Sequence, residues 1–188
     1  MMNKVLVVVD MQKDFTTGPL GTPEAVAIIP KIREKIEKYI KDTSSNGVCY
    51  GQIFFTQDTH RDNYLDTEEG RNLPVSHCIL GTEGIKIEEE LYDPEFKRKA
   101  QVTILPKERF AFEHWNTIAH PHFVQEVELV GVCTDICIIS NALAIKLNCP
   151  GVRVTVDASC CAGTTPKMHR AALDVMKSCQ IHIINDEE

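Results

Sequence analysis

Residues 4–10, KVLVVVD, set five consecutive apolar side chains ahead of a lone aspartate. A strand with one face in water alternates apolar and polar residues. One that is apolar at successive positions has to be covered on both faces, as a parallel strand is under helices. The same reading extends to QIFFTQD (52–58), VTILPK (102–107), VELVGV (127–132), VRVTVD (152–157) and QIHIIN (180–185). Between the first two, PKIREKIEKYIKD (30–42) puts Ile32, Ile36, Tyr39 and Ile40 on one helical stripe. Pro30 suits its first turn and Asn46-Gly47 a stop, which completes a β-α-β unit. TPKMHRAALDVMKS (165–178) reads as an amphipathic helix capped by Thr164 or Thr165, with Pro166 in the first helical position. TDICIISNALAIKLN (134–148) is apolar almost all round and is expected to be a helix buried on more than one side. The predicted fold is α/β: one domain over residues 1–188, with a doubly wound, mostly parallel six-stranded sheet and helices on both faces.

Composition narrows the partner. With 20 basic and 27 acidic side chains the formal charge is -7, which argues against a phosphate backbone or an anionic membrane surface and for a small molecule. Eight cysteines in 188 residues do not make a disulfide scaffold, because a chain this long buries an adequate core without one. The apolar run before Asp10 is too short for a signal peptide and no later run approaches a membrane span. A reducing cytoplasm is the expected location, with most cysteines acting as small buried hydrophobes. EEE at 88–90 is expected on an exposed helix face, HPH at 120–122 in an exposed loop, and the vicinal Cys160-Cys161 pair in the core. Residues 59–84 are too long a loop for a compact domain to carry idly, and they contain two histidines.

In open parallel sheets ligands bind beyond the carboxyl ends of the strands. Asp10, Asp58, Lys107, Cys133 and Asp157 stand there. An acid, a cation and a thiol on one rim suit a nucleophilic site, although each alone is an ordinary cap or surface residue. With Thr134 or Asp135 as N-cap, Cys137 falls in the first helical turn, where unpaired N–H groups and the helix dipole favour a thiolate. Cys133 lacks that help. A buried structural role for Cys137 stays open, and a zinc site shared by the two cysteines lacks a second pair at matching spacing. A second constellation is Asp58 and His60, two apart beyond a strand, with His77 returning from the long loop. One carboxylate and two imidazoles suit zinc, iron or manganese with open positions.

VVVDMQKDF (7–15), the lysine after the third strand and GVCTDICI (131–138) together resemble the isochorismatase-like cysteine hydrolases over essentially the whole chain. TQDTH (56–60) followed by LPVSHCILGTEG (73–84) resembles the nicotinamidase branch. The resemblance implies that Asp10, Lys107 and Cys137 form a catalytic triad. It implies that Asp58, His60 and His77 bind one divalent metal ion, zinc foremost, with Glu69 or Glu68 adding to the shell. It also implies a cis peptide before Cys133, an oxyanion hole from the backbone N–H groups of Cys133 and Cys137, and substrate contacts from Phe15 and from Phe110 or Phe112. The implied reaction converts nicotinamide to nicotinate and ammonia through a cysteine thioester, feeding NAD salvage. Vinyl-ether hydrolysis is disfavoured, since it does not use the nucleophilic cysteine found here. Many members carry a tryptophan where this chain has Leu73, which motivates a second reading, a cysteine amidase for another small amide or carbamoyl compound. A third is an inactive binding or oligomeric module. The expected partner is a small-molecule amide, without nucleic acid or membrane, and a homo-oligomer is compatible with that expectation.

Overall fold

A computed structural model describes residues 4–45 and 51–186. Six strands, β1 (Lys4–Val9), β2 (Gln52–Asp58), β3 (Gln101–Lys107), β4 (Glu126–Val132), β5 (Arg153–Ala162) and β6 (His182–Ile184), form one sheet in the order β3-β2-β1-β4-β5-β6. Every pairing is parallel, so the sheet is wholly rather than mostly parallel. The helices are α1 (Lys13–Thr16), α2 (Pro23–Ala27), α3 (Ile29–Ser45), α4 (Glu68–Asn72), α5 (Pro94–Lys99), α6 (Trp115–Ile118), α7 (Ile139–Asn148) and α8 (Pro166–Ser178).

Both faces of the sheet are covered, as the first strand's composition requires. Successive side chains of a strand point to opposite faces. Val5, Val7 and Val9 accordingly join a core with Trp115 of α6, Ile138 just before α7, Ile145 of α7 and Leu173 of α8, while Leu6 and Val8 join another with Ile32 and Ile36 of α3 and Phe96 of α5. The stripe foreseen on α3 is buried throughout, and its foreseen stop at Asn46-Gly47 lies outside the described residues. Thr165 caps α8 by accepting the Met168 N–H, with Pro166 next.

Four expectations are corrected. The strand read as ending at Asp157 runs on to Ala162, and its pairing with β4 jumps from Leu129↔Val156 to Gly131↔Cys161. That bulge holds Asp157 back from the rim. Its carboxylate pairs instead with Lys35 of α3 and accepts hydrogen bonds from Ser159 and Asn185. The acidic run 88–90 forms a turn, not a helix face, because Glu88 is drawn in to accept from Thr16 and its N–H donates to the Met11 carbonyl. The helix over 134–148 opens with a π turn, Thr134–Ile138, whose N-cap is Cys133 rather than Thr134 or Asp135. That helix is also buried on one side only: Asn141 faces inward, while Leu143 and Leu147 of α7 are exposed. His120 and His122 stack on each other at the surface, and Cys160 and Cys161 are buried.

The strand order reverses between β1 and β4, which places a crevice at their carboxyl ends. The close approach there depends on Gly131, whose φ is +121° and whose hypothetical Cβ would sit 2.2 Å from the Val9 carbonyl oxygen. No helix among the described residues is long and apolar enough to cross a membrane.

Candidate active site

Four strand ends meet at the crevice. Asp10 follows β1 directly with φ +48°, a left-handed conformation that turns its side chain inward. Thr56 of β2 holds it there, accepting from the Asp10 N–H at 3.1 Å and donating to Oδ1 at 2.7 Å. The other oxygen, Oδ2, lies 2.7 Å from Lys107 Nζ at the end of β3. That ammonium also reaches Asp58 Oδ1 at 3.3 Å, the Arg109 carbonyl at 3.0 Å and Cys137 Sγ at 3.8 Å. Asp10 is fully buried, and Lys107 and Cys137 nearly so.

Burial sets the electrostatics of this cluster. Desolvation raises the Asp10 carboxyl above its ordinary range despite the opposing pull of Lys107. It lifts the Cys137 thiol well above an ordinary cysteine, with the Asp10 charge adding to the rise and Lys107 opposing it. Burial alone would lower Lys107, but the Asp10, Cys137 and Asp58 charges outweigh it and keep the ammonium protonated. Lys107 stands between the two groups, in contact with both the Asp10 carboxylate and the thiol. A proton passing from Sγ to Asp10 moves one negative charge from one side of Lys107 to the other, so the buried net charge does not change. That transfer avoids most of the desolvation penalty a lone buried thiolate would carry.

Cys137 sits within the π turn, a widened first turn of the kind often found at functional sites. The Cys133 carbonyl accepts from Ile136 at 3.1 Å and from Ile138 at 3.0 Å, on either side of Cys137. The Val132–Cys133 peptide is cis. Cys133 lies half-buried at the same crevice, and burial pushes its thiol up to about 12. Asp135 takes no capping part; its carboxylate accepts from the Thr164 N–H and hydroxyl and clamps the π turn to the start of α8.

Beside the thiol, Asp58, His60 and His77 bring one donor atom each within 4.8 Å of one another. His77 Nδ1 contacts the Val75 carbonyl at 2.8 Å, so it carries the proton and Nε2 turns a lone pair towards Asp58 Oδ2, 3.5 Å away. His60 Nε2 faces the same oxygen at 2.9 Å and Glu69 Oε1 at 3.7 Å, but is buried without a hydrogen bond of proper geometry. Burial opposes ionisation of Asp58, yet the two imidazoles beside it and the Lys107 charge hold its carboxyl well below the usual range. An orphaned imidazole nitrogen, a second one freed by its backbone contact and a carboxylate that favours its ionised form fit a divalent cation. Glu69 is the carboxylate that faces them; Glu68 is spent on Arg71 and Asn72 at the surface.

A cavity of about 290 Å³ covers the thiol, with Asp58, Glu69 and His77 at one end and Phe15, Leu73 and Phe110 among its apolar walls. Phe15 stacks edge-on against His77 at 5.4 Å. Phe112 does not line this cavity; it packs against Trp115 at 5.4 Å, part of the core behind.

Four supporting residues were not foreseen. Thr56 was findable, since it lies two residues before Asp58 on one strand and so on the same face. Gln12 donates to the Asp58 and Ile85 carbonyls and accepts the Asp58 N–H, stitching β1 to β2 and to the long loop. Asn141, one turn beyond Cys137, donates to the Cys137 carbonyl at 2.8 Å and accepts from Phe112 N and Trp115 Nε1. Tyr64 packs on both imidazoles, at 4.6 and 4.9 Å, and nothing in the loop sequence marks it out.

The sheet order and this site define a class, the doubly wound α/β hydrolases with a thiol at the switch point. Residues 4–188 match the isochorismatase domain, and the chain belongs to that family. It is 24% identical over 197 residues to the nicotinamidase/pyrazinamidase of Mycobacterium tuberculosis, with 96% of this chain and 98% of that protein covered. The crystal structure of the Pyrococcus horikoshii pyrazinamidase in complex with zinc matches with a TM-score of 0.77 at 30% identity, covering 97% of this chain and 98% of that one. The pyrazinamidase/nicotinamidase of Streptococcus mutans UA159 matches with a TM-score of 0.77 at 27% identity, over 96% and 99% of the two chains.

Proposed function

We propose that the protein is a nicotinamidase, hydrolysing nicotinamide to nicotinate and ammonia with Cys137 as nucleophile and so returning pyridine to NAD salvage. The observation that carries this reading is the convergence of Asp10, Lys107 and Cys137 beside a cavity lined by Asp58 and His77, whose donor atoms cluster with that of His60. Relatives named nicotinamidase and pyrazinamidase over nearly the whole chain support it.

Asp10 takes the thiol proton while Lys107 holds both partners, and Sγ attacks the amide carbon. The carbonyl oxygen gains the negative charge and is received by the backbone N–H groups of Cys133 and Cys137, a contribution of about 3 kcal/mol per donor at comparable sites. Asp10 then returns its proton to the departing nitrogen, ammonia leaves, and a thioester remains on Cys137. Water attacks the thioester, the acid departs and the thiol is restored. A divalent cation, zinc by preference, held by Asp58, His60 and His77 with Glu69 beside them, would supply a Lewis acid for a ring nitrogen or a water. Phe15 flanks the bound ring.

Ammonia release from nicotinamide by zinc-supplemented protein tests this, with Cys137→Ala as control. Turnover lost in the variant is expected; no release from nicotinamide by the intact protein overturns it. A second reading is favoured by Leu73, which leaves that wall of the cavity aliphatic: a cysteine amidase of the same family for another small amide. A substrate panel in which such an amide turns over far faster than nicotinamide selects it. An inactive module is the outcome if Cys137→Ala changes neither activity nor ligand affinity.

A further inference from the structure

The cavity over Cys137 shares its apolar wall with a second space. Leu73, Phe110, Ile136 and Glu69 line both it and a second groove, of about 870 Å³, that opens to solvent between α4, residues 109–113 and α7. Ala111, Phe112 and Ala144 continue the apolar surface outward. The doorway between the two spaces is built rather than loose. Tyr64 Oη donates to the Leu73 carbonyl at 3.0 Å, and Asn141 receives the Phe112 N–H at 2.9 Å while donating to the carbonyls of Phe110 and Cys137. The residue that fixes the Cys137 turn therefore also fixes the aromatic segment. Leu73 and Phe110 nonetheless stand 36% and 48% exposed, so the doorway keeps apolar surface in water.

Size and polarity divide between the two spaces. The inner cavity is at the small end of ligand sites, enough for a single ring, and is lined by Asp58, His77 and Cys137. The outer groove is wider and mainly apolar where it meets the doorway. A ligand spanning both would place an amide at Cys137 and a hydrophobic part beyond Leu73 and Phe110. We infer that the outer groove is an extension of the substrate site, and that the protein takes primary aromatic carboxamides whose ring bears an apolar substituent threaded between Leu73 and Phe110. This deepens the amidase reading above and rests on it for turnover, but not for binding.

The test uses benzamide-type primary carboxamides carrying unbranched alkyl chains, from none to butyl, at the ring position meta and separately para to the amide. Affinity is measured calorimetrically in zinc-supplemented Cys137→Ala protein, and turnover in the intact protein. In at least one series affinity is expected to tighten roughly two- to fourfold per methylene, as burial of each CH₂ in a partly open groove implies. Ala111→Trp, which fills the groove from its outer side, is expected to flatten that slope, its melting temperature confirming a folded chain. A slope at or below zero in both series overturns the inference whatever the turnover. A rising slope without hydrolysis of any member or of nicotinamide upholds the groove and overturns the amidase reading, whereas hydrolysis of the parent amide with no slope does the reverse. If Ala111→Trp alters the oligomeric state and leaves the slope intact, the groove is a contact between copies and the inference falls.

Discussion

Asp10 depends on Thr56 for its aim. A carboxylate in a left-handed backbone conformation at a strand end has several rotamers open to it, and only one presents Oδ2 to Lys107 and the thiol. The Thr56 hydroxyl selects that one by accepting from the Asp10 N–H and donating to Oδ1. Thr56→Val keeps the side-chain shape, removes both bonds and leaves a buried N–H unpaired, a cost of about 1 to 3 kcal/mol. Steady-state kinetics are expected to show kcat reduced about tenfold to hundredfold with KM little changed, because the loss falls on proton transfer and not on substrate binding. An unchanged kcat would mean that Lys107 alone orients the carboxylate. A different balance holds at Asp157. Burial would raise its carboxyl, but Lys35, Ser159 and Asn185 together hold it below the ordinary range. A carboxyl depressed in the folded state stabilises the fold above its unfolded pKa of about 3.9, and that contribution drains away as pH falls from there through the folded value. Asp157→Asn is therefore expected to cost about 1 to 3 kcal/mol in urea unfolding at pH 7, with the gap to the parent narrowing below pH 4. A gap that widens on acidification would refute the assignment.

At the scale of elements, the β1–β4 contact carries the site, because Asp10 leaves one strand and Cys133 the other. Gly131 lets them close: at φ +121° no side chain is comfortable, and a Cβ would press on the Val9 carbonyl at 2.2 Å. Gly131→Ala is expected to destabilise the protein by on the order of 2 to 4 kcal/mol, a melting-temperature drop of roughly 5 to 15 °C for a chain of this size, and to depress turnover as the two strand ends part. A melting temperature within a degree of the parent would show that the strands separate at little cost. The elements also mark what a chain of letters can reveal. Runs such as KVLVVVD announce buried parallel strands because their composition leaves no solvent face, and Thr165-Pro166 announces a helix start through local chemistry. The bulge that withdraws Asp157 and the π turn under Cys137 are invisible locally, since each arises from a mismatch between neighbouring elements. Asn141 and the exposed Leu147 reverse the expected polarity of α7 for a similar reason: inward space is set by Trp115 and the 110–112 backbone, which need hydrogen-bond partners.

For the molecule as a whole, the donors of the candidate metal centre come from one strand end and one long loop. Asp58 ends β2, His60 follows it, and His77 returns only after α4 and residues 73–76. The Asp-x-His spacing was legible because two residues beyond a strand share one side, and His77 joined it as the other histidine of the long loop; Tyr64, which packs against both rings, carried no such mark. The loop is tied back by Asp14, whose carboxylate accepts the Cys78 N–H at 2.7 Å, and by Gln12 bonding to Ile85, so its position depends on contacts far apart in sequence. A ligand that bridges strand and loop binds the folded chain and not the unfolded one, so it stabilises by mass action. Zinc at about 100 times its dissociation constant should add about 2.7 kcal/mol. Protein stripped with a chelator and then titrated with zinc is expected to gain roughly 5 to 10 °C in melting temperature. His60→Ala should abolish most of that gain, read as the difference between stripped and zinc-loaded forms of the same variant, since loss of the buried ring lowers both melting temperatures alike. An equal gain in His60→Ala would place the bound zinc elsewhere on the molecule and leave Asp58 and His77 as a buried ion pair.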